Sequence, residues 1–161
     1  MLSGAQRSRS ISTASLQSLL RHLCVMSDNE NHIIARIINA EAVYRHFGYW
    51  PSFHDAEIIK VTLEAHPGYW PSATFAISAF EMTKEVDEKG YYKHTKQCLI
   101  EFQFTGIQEI EFDYFNHQNV ILNLLLEESG NFIKCTFDPS VGLDAVIIAE
   151  QVVVSLTPTK R

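Results

Sequence analysis

Gln97-Cys98-Leu99-Ile100-Glu101-Phe102-Gln103-Phe104-Thr105-Gly106-Ile107-Gln108-Glu109-Ile110-Glu111-Phe112-Asp113-Tyr114 is the stretch on which the fold turns. Cys98, Ile100, Phe102 and Phe104 alternate with Leu99, Glu101 and Gln103, and side chains two apart on an extended chain share one face. Ile107–Tyr114 repeats the device, with Ile110, Phe112 and Tyr114 set against Glu109, Glu111 and Asp113. The spacing predicts two half-buried strands, Cys98–Phe104 and Ile107–Tyr114. On such strands Glu101, Glu109, Glu111 and Asp113 read as a solvated face rather than as paired catalytic carboxylates.

The same period extends to both sides. In Glu57–Glu64, Ile59, Val61 and Leu63 alternate with Lys60, Thr62 and Glu64. His66-Pro67-Gly68 is a turn, and Thr74–Met82 follows as a strand with Phe75, Ile77, Ala79 and Glu81 on one face. The charged Thr83–Lys96 stretch is expected to be an exposed hairpin loop. Val120–Glu127 is apolar enough for helix or strand, but Gly130 and Phe132–Phe137 behind it favour a hairpin, hence strand. Val146–Leu156 is a last β-branched strand, ended by Pro158. Only Ile33–Phe47 shows helical spacing, through Ile34, Ile37, Ile38, Ala42 and Val43; Gly48 stops it and Pro51 prevents its resumption. The expected class is α+β, predominantly antiparallel β, with one N-terminal helix and then about seven strands.

Composition bounds the rest. A chain of 161 residues fits one domain without a disulfide or metal staple. Residues 29–161 are read as a single strand-rich domain. Residues 1–28 are Ser-rich, carry Arg7, Arg9 and Arg21, and hold no acidic residue before Asp28. They have the flavour of a transit peptide, although a flexible tail, or a start upstream of Met26-Ser27-Asp28, is the simpler reading. Cys24, Cys98 and Cys135 form no CxxC pair, which points to a reducing, cytoplasmic compartment. No apolar run approaches the ~20 residues of a membrane span. From Asp28 onward 19 acidic residues face 10 Lys/Arg, a balance that repels nucleic acid and membrane phosphates and attracts a basic protein.

Chemistry is sparse. His54-Asp55, with His46 and His66 nearby in sequence, could bind a divalent metal, but no further ligand stands at a recognisable spacing. The competing assignment is local hydrogen bonding by Ser52, His54 and Asp55 in a turn. No serine lies in GxSxG and no glycines form a phosphate loop, so no catalytic residue, metal or cofactor is assigned. Gly48-Tyr49-Trp50-Pro51-Ser52 recurs as Gly68-Tyr69-Trp70-Pro71-Ser72, and each copy should supply a turn whose aromatic pair covers a sheet edge. Trp50 and Phe53 are assigned to the core. Tyr91 and Tyr92, with Glu109, Glu111 and Asp113, are the candidate partner contacts.

Phe47-Gly48-Tyr49-Trp50-Pro51-Ser52-Phe53-His54-Asp55-Ala56-Glu57 resembles the signature of the immunity protein 50 family of bacterial polymorphic-toxin systems. Phe115-Asn116-His117-Gln118-Asn119-Val120-Ile121 is similar to that family's Asn-x-Gln-Asn segment, and the resemblance spans residues 30–156. It implies a small, largely β, cytoplasmic protein that neutralises a cognate toxin by binding, without catalysis or cofactor. In that setting Trp50, Pro51, Ser52, Phe53, His54 and Asp55 are family-motif residues that serve structure or binding. A metal-dependent enzyme using His54 and Asp55, and a self-associating module with open strand edges, stay as alternatives. The oligomeric state is left open.

Overall fold

The alternation that starts at Cys98 does not end at Phe104. In the computed structural model, which describes residues 32–159, it belongs to one strand of 22 residues, Tyr92–Asp113. That strand is β3 in a set comprising β1 (Glu57–Glu64), β2 (Ser72–Val86), β4 (Val120–Ser129), β5 (Phe132–Val141) and β6 (Asp144–Pro158). They form a closed antiparallel barrel in the order β1-β2-β3-β6-β5-β4. Among the described residues the count is six rather than seven because the two expected strands Cys98–Phe104 and Ile107–Tyr114 are the halves of β3.

The reason lies at Gly106. Phe104 pairs with Val152 and Ile107 with Ala149, and all four side chains are buried. Between them Thr105, Gly106, Glu150 and Gln151 sit on the outside. The inward face of β6 therefore changes parity as the β3–β6 ribbon bends, while β3 regains its own through a register shift between Ile107 and Glu109. Gly106 makes the bend with φ 64°, and a Cβ there would lie 2.7 Å from the Glu150 side chain. Before the bend β3 pairs with β2 on one side and β6 on the other; beyond Phe104 its only strand partner among the described residues is β6.

Thr83–Lys96 is not a loop but a two-stranded ribbon. Glu81 pairs with Thr95, Met82 with His94 and Val86 with Tyr92. Its tip is a turn in which the Asp87 carboxylate accepts from the Lys89 and Tyr91 amides at 2.8 and 2.9 Å. Charge in this stretch reports exposure, while the ladder continues on backbone hydrogen bonds that need no apolar face.

The expected helix from Ile33 to Phe47 is also interrupted. A helical turn at 32–34 leads to Ile38, which bridges to β6: its amide donates to Val152 O, and the Val154 amide donates to its carbonyl, both at 2.9 Å. Asn39 turns the chain with φ 66° and donates its side-chain amide to Val154 O at 2.7 Å. Pairing with an open sheet edge has overridden helical propensity here. Regular helix α1 covers only Glu41–Phe47, and Gly48 caps it as expected, with φ 89° and its amide on Tyr44 O at 2.7 Å.

Ile33, Ile34, Ile37, Val43 and Phe47 nevertheless bury their side chains against the barrel core. At its centre Phe75 stacks on Phe137 with centroids 4.8 Å apart, and Phe102 and Phe104 meet Phe137 edge-on. Cys98 and Cys135 lie in this core; burial lifts the Cys98 thiol to about 11 and that of Cys135 higher still. Neither is an activated thiolate. Among the described residues no helix is long and apolar enough to cross a membrane. The expected tail over residues 1–28 and its boundary lie outside the described residues.

Candidate functional site

Gly48–Glu57 carries the chain from α1 into β1, and its backbone fastens the barrel shut. The β1–β4 ladder itself has a single pair, Glu57 with Val120. Around it the Asp55 amide donates to Ile121 O at 3.0 Å, the Ile121 amide to Ala56 O at 2.9 Å, and the Ile58 amide to Asn119 O at 2.8 Å. The His54 ring donates from Nδ1 to Leu122 O at 2.9 Å. The two sequence motifs, one before β1 and one before β4, are thus the two lips of one seam.

Asn119 locks it. Only 4% of the residue is exposed. Its Oδ1 accepts from the Asn116 amide at 2.9 Å and the Leu143 amide at 3.2 Å. Its Nδ2 donates to Asn116 O at 2.8 Å and Ile58 O at 3.4 Å. One side chain so joins the start of β1, the loop before β4 and the turn before β6. Gly142 is packed against it: at φ 85°, a Cβ would collide with Gln118 O and Asn119 Oδ1. Gly142→Ala should therefore cost about 3 kcal/mol, combining an unfavourable left-handed backbone with a displaced closure. Gly130→Ala is the control, since Gly130 shares the positive φ (61°) but has nothing within 4 Å of its Cβ position. It should cost only about 1 kcal/mol in urea unfolding.

Within the first motif the side chains divide. Trp50, Pro51 and Phe53 turn inward; Phe53 meets Trp50 and Phe102 at centroid distances of 5.8 and 5.5 Å, both near perpendicular. Ser52, His54 and Asp55 turn outward. The alternation is enforced by left-handed backbone at Phe53 (φ 58°) and Asp55 (φ 63°), on either side of His54.

His54 Nε2 lies 3.7 Å from Asp55 Oδ1, beyond hydrogen-bonding range, with both side chains about half exposed. The other histidines grouped with them by sequence go elsewhere. His46 Nε2 donates to Lys96 O at 2.8 Å, and His66 Nε2 pairs with Ser72 Oγ at 2.9 Å. Among the described residues no three His, Cys, Asp or Glu side chains are placed to hold a metal ion.

The outer face of the motif lines an open cleft of about 260 Å³ whose far wall is Ala79–Met82 of β2. On that wall the Glu81 carboxylate accepts from Tyr49 Oη at 3.0 Å and from Lys96 Nζ at 3.0 Å. Lys96 Nζ also donates to Phe47 O, at the C-terminal end of α1, at 2.7 Å. Hydrogen bonds from Lys96 and then Tyr49 hold the Glu81 carboxyl below its ordinary range. Burial, and then the bond to Glu81, raises the Tyr49 phenol. This cluster ties the root of the β2–β3 ribbon to α1, and nothing local in the sequence marks it.

The repeated Gly-Tyr-Trp-Pro-Ser does not repeat its environment. Tyr69 and Trp70 are 84% and 57% exposed, so the second copy covers no sheet edge. It spans the hairpin from Glu64 to its pair Ser72. The first copy instead follows a helix into the core, where Trp50 packs on Phe102.

Tyr91 and Tyr92 stand exposed at the ribbon tip, and Glu109, Glu111 and Asp113 stand exposed at the other end of β3. From Tyr92 to the bend at Gly106 is about 46 Å of strand at roughly 3.3 Å per residue. Such a separation exceeds an ordinary single interface of about 800 Å² per partner. The two groups are separate surfaces.

Charge distinguishes them. Residues 32–96 hold eight acidic and seven basic side chains, whereas residues 97–159 hold nine acidic and one basic, Lys134. That lysine is paired with Glu127 at 3.5 Å. Among the described residues Glu109, Glu111, Asp113 and Asp144 have no cation partner, and Asp113 pairs across the ladder with Asp144.

The family model described as immunity protein 50 matches residues 39–157, a span that includes both lips of the seam. Comparison with curated proteins and with solved structures gave no match.

Proposed function

The chain belongs to the immunity protein 50 family, and on that premise we propose that it is a non-catalytic cytoplasmic inhibitor that binds and neutralises a cognate protein toxin. The observation that supports a basic toxin is the segregation of charge: residues 97–159 carry nine carboxylates against one lysine. All of these carboxylates except Glu101 lie on the far half of β3, β6, β5 and β4. Such a surface accelerates encounter with a basic groove and disfavours wrong partners. The outward side chains of the motif, Ser52, His54 and Asp55, line a cleft, but their neighbours are occupied in closing the barrel. That arrangement supports a structural motif over a catalytic one, and buried thiols suit a reducing compartment.

Co-expression with proteins encoded beside the gene tests the reading. One of them should arrest growth alone and permit it in the presence of this chain. Purified toxin and inhibitor should associate about tenfold more slowly when ionic strength rises from roughly 50 to 300 mM, with dissociation changed much less. Growth arrest unrelieved by the chain for every neighbouring product would remove the inhibitor reading. Rescue with salt-independent association would remove the electrostatic one.

A further inference from the structure

The far half of β3 is an open edge. After a register shift at Ile107/Glu109, Glu109–Asp113 pairs with β6 on one side, and on the other has no strand among the described residues. The nearest backbone contact to that side is the Ile107 amide on Pro71 O at 3.2 Å. Glu109 to Asp113 pairs with β6 residue by residue without irregularity. Other edges differ in charge or occupancy: β1 is bulged at Ile58–Lys60 and carries Lys60, the acidic residues Glu127 and Glu128 of β4 are paired with Lys134 and Arg36, and β6 beyond Gln151 takes up Ile38. Unpaired amides and carbonyls in register form a template for another strand.

The side chains along this edge say which strand. Glu109, Glu111 and Asp113 project outward on one face, uncompensated, while Ile110 packs on the core from the other face and Phe112 stands beside it at the rim. Tyr114 and Phe115, both exposed, follow at the end of the edge. A second copy of this chain would set carboxylates opposite carboxylates and is disfavoured. We propose that this edge takes up an extended segment of the partner as an added strand. Lys or Arg at alternate positions would face Glu109, Glu111 and Asp113, and apolar residues between them would face Ile110 and Phe112. Backbone pairing supplies affinity and the alternate charges supply register. This rests on the binding reading above, and it names the partner element and the place where it docks.

The probe is an acetylated, amidated hexapeptide of alternating Lys and Val, added to the full-length isotope-labelled chain. Exchange of the alternate amides in Gln108–Asp113 that face away from β6 should slow by about tenfold or more, as expected for strand addition. Two further peptides carry N-methyl groups on all Lys or on all Val nitrogens. A strand pairs through one edge only, so one of them should bind like the parent and the other about tenfold or more weaker. Glu109→Lys with Glu111→Lys, folded by circular dichroism, should abolish the protection. Equal binding by all three peptides would show adsorption by charge alone and overturn the proposal. So would protection elsewhere, no binding, or equal binding of an alternating Glu and Val peptide. If the peptide adds as a strand while no neighbouring toxin is neutralised, the edge stands and the toxin reading falls.

Discussion

Asn119→Ala is expected to lower the unfolding free energy by about 3–5 kcal/mol, because it strands several buried backbone groups at once. The side chain makes four hydrogen bonds, two to Asn116 within its own loop and two to the distant Ile58 and Leu143. Without it the Asn116 and Leu143 amides lose their acceptor, each at roughly 1–3 kcal/mol when water cannot replace it. The barrel has little in reserve at this point, since β1 and β4 share one ladder pair. Urea unfolding should show a lower midpoint with an unchanged slope. In the folded variant the amides of Asp55, Ile58 and Ile121, which span the seam, should exchange faster than those of β3 and β6. Asn123→Ala is the comparison: that residue is exposed and bonds only Asp138, at 3.1 Å, so its loss should stay within about 0.5 kcal/mol. An Asn119→Ala variant as stable as Asn123→Ala would show that the seam is held by something other than this side chain.

Most strands were readable because they bury one face, and period-two alternation is a local property of the chain. In β1, however, a bulge at Ile58/Lys60 buries Ile58 and leaves the alternating Ile59 and Leu63 exposed. What alternation could not report was connection. Thr105 and Gly106 interrupt the pattern in the same way whether the chain reverses or merely bends, and only the partners Glu150 and Gln151, bending with them, decide for one continuous β3. Ile33–Phe47 misled for a related reason: its apolar positions are buried as a helix would bury them, yet an open edge of β6 took Ile38 instead. The seam was invisible to local reading. Its two lips are more than 60 residues apart, and Asn119 looks like any polar residue before an apolar run; only family resemblance drew attention to that segment. Acidity was legible, but its concentration on one sheet, with an open edge among the carboxylates, required the fold.

Phe53→Ala against His54→Ala separates the inward and outward sides of the first motif. Phe53 is 4% exposed and lies edge-on between Trp50 and Phe102. Its truncation should cost about 3–5 kcal/mol, the usual loss for a buried phenylalanine. His54 is half exposed and contributes one ring bond to Leu122 O, so His54→Ala should cost about 1 kcal/mol. Phe53 also holds φ 58°, which adds a distinctive signature. Alanine at this position keeps the left-handed strain, while glycine relieves it. Phe53→Gly should therefore be less destabilising than Phe53→Ala by about 1 kcal/mol, a reversal of the order found at ordinary buried positions. Thermal or urea unfolding of the three variants reads both effects. If glycine proves worse than alanine, the backbone at Phe53 carries no strain. If His54→Ala costs as much as Phe53→Ala, the outward half of the motif bears far more of the closure than one hydrogen bond can supply.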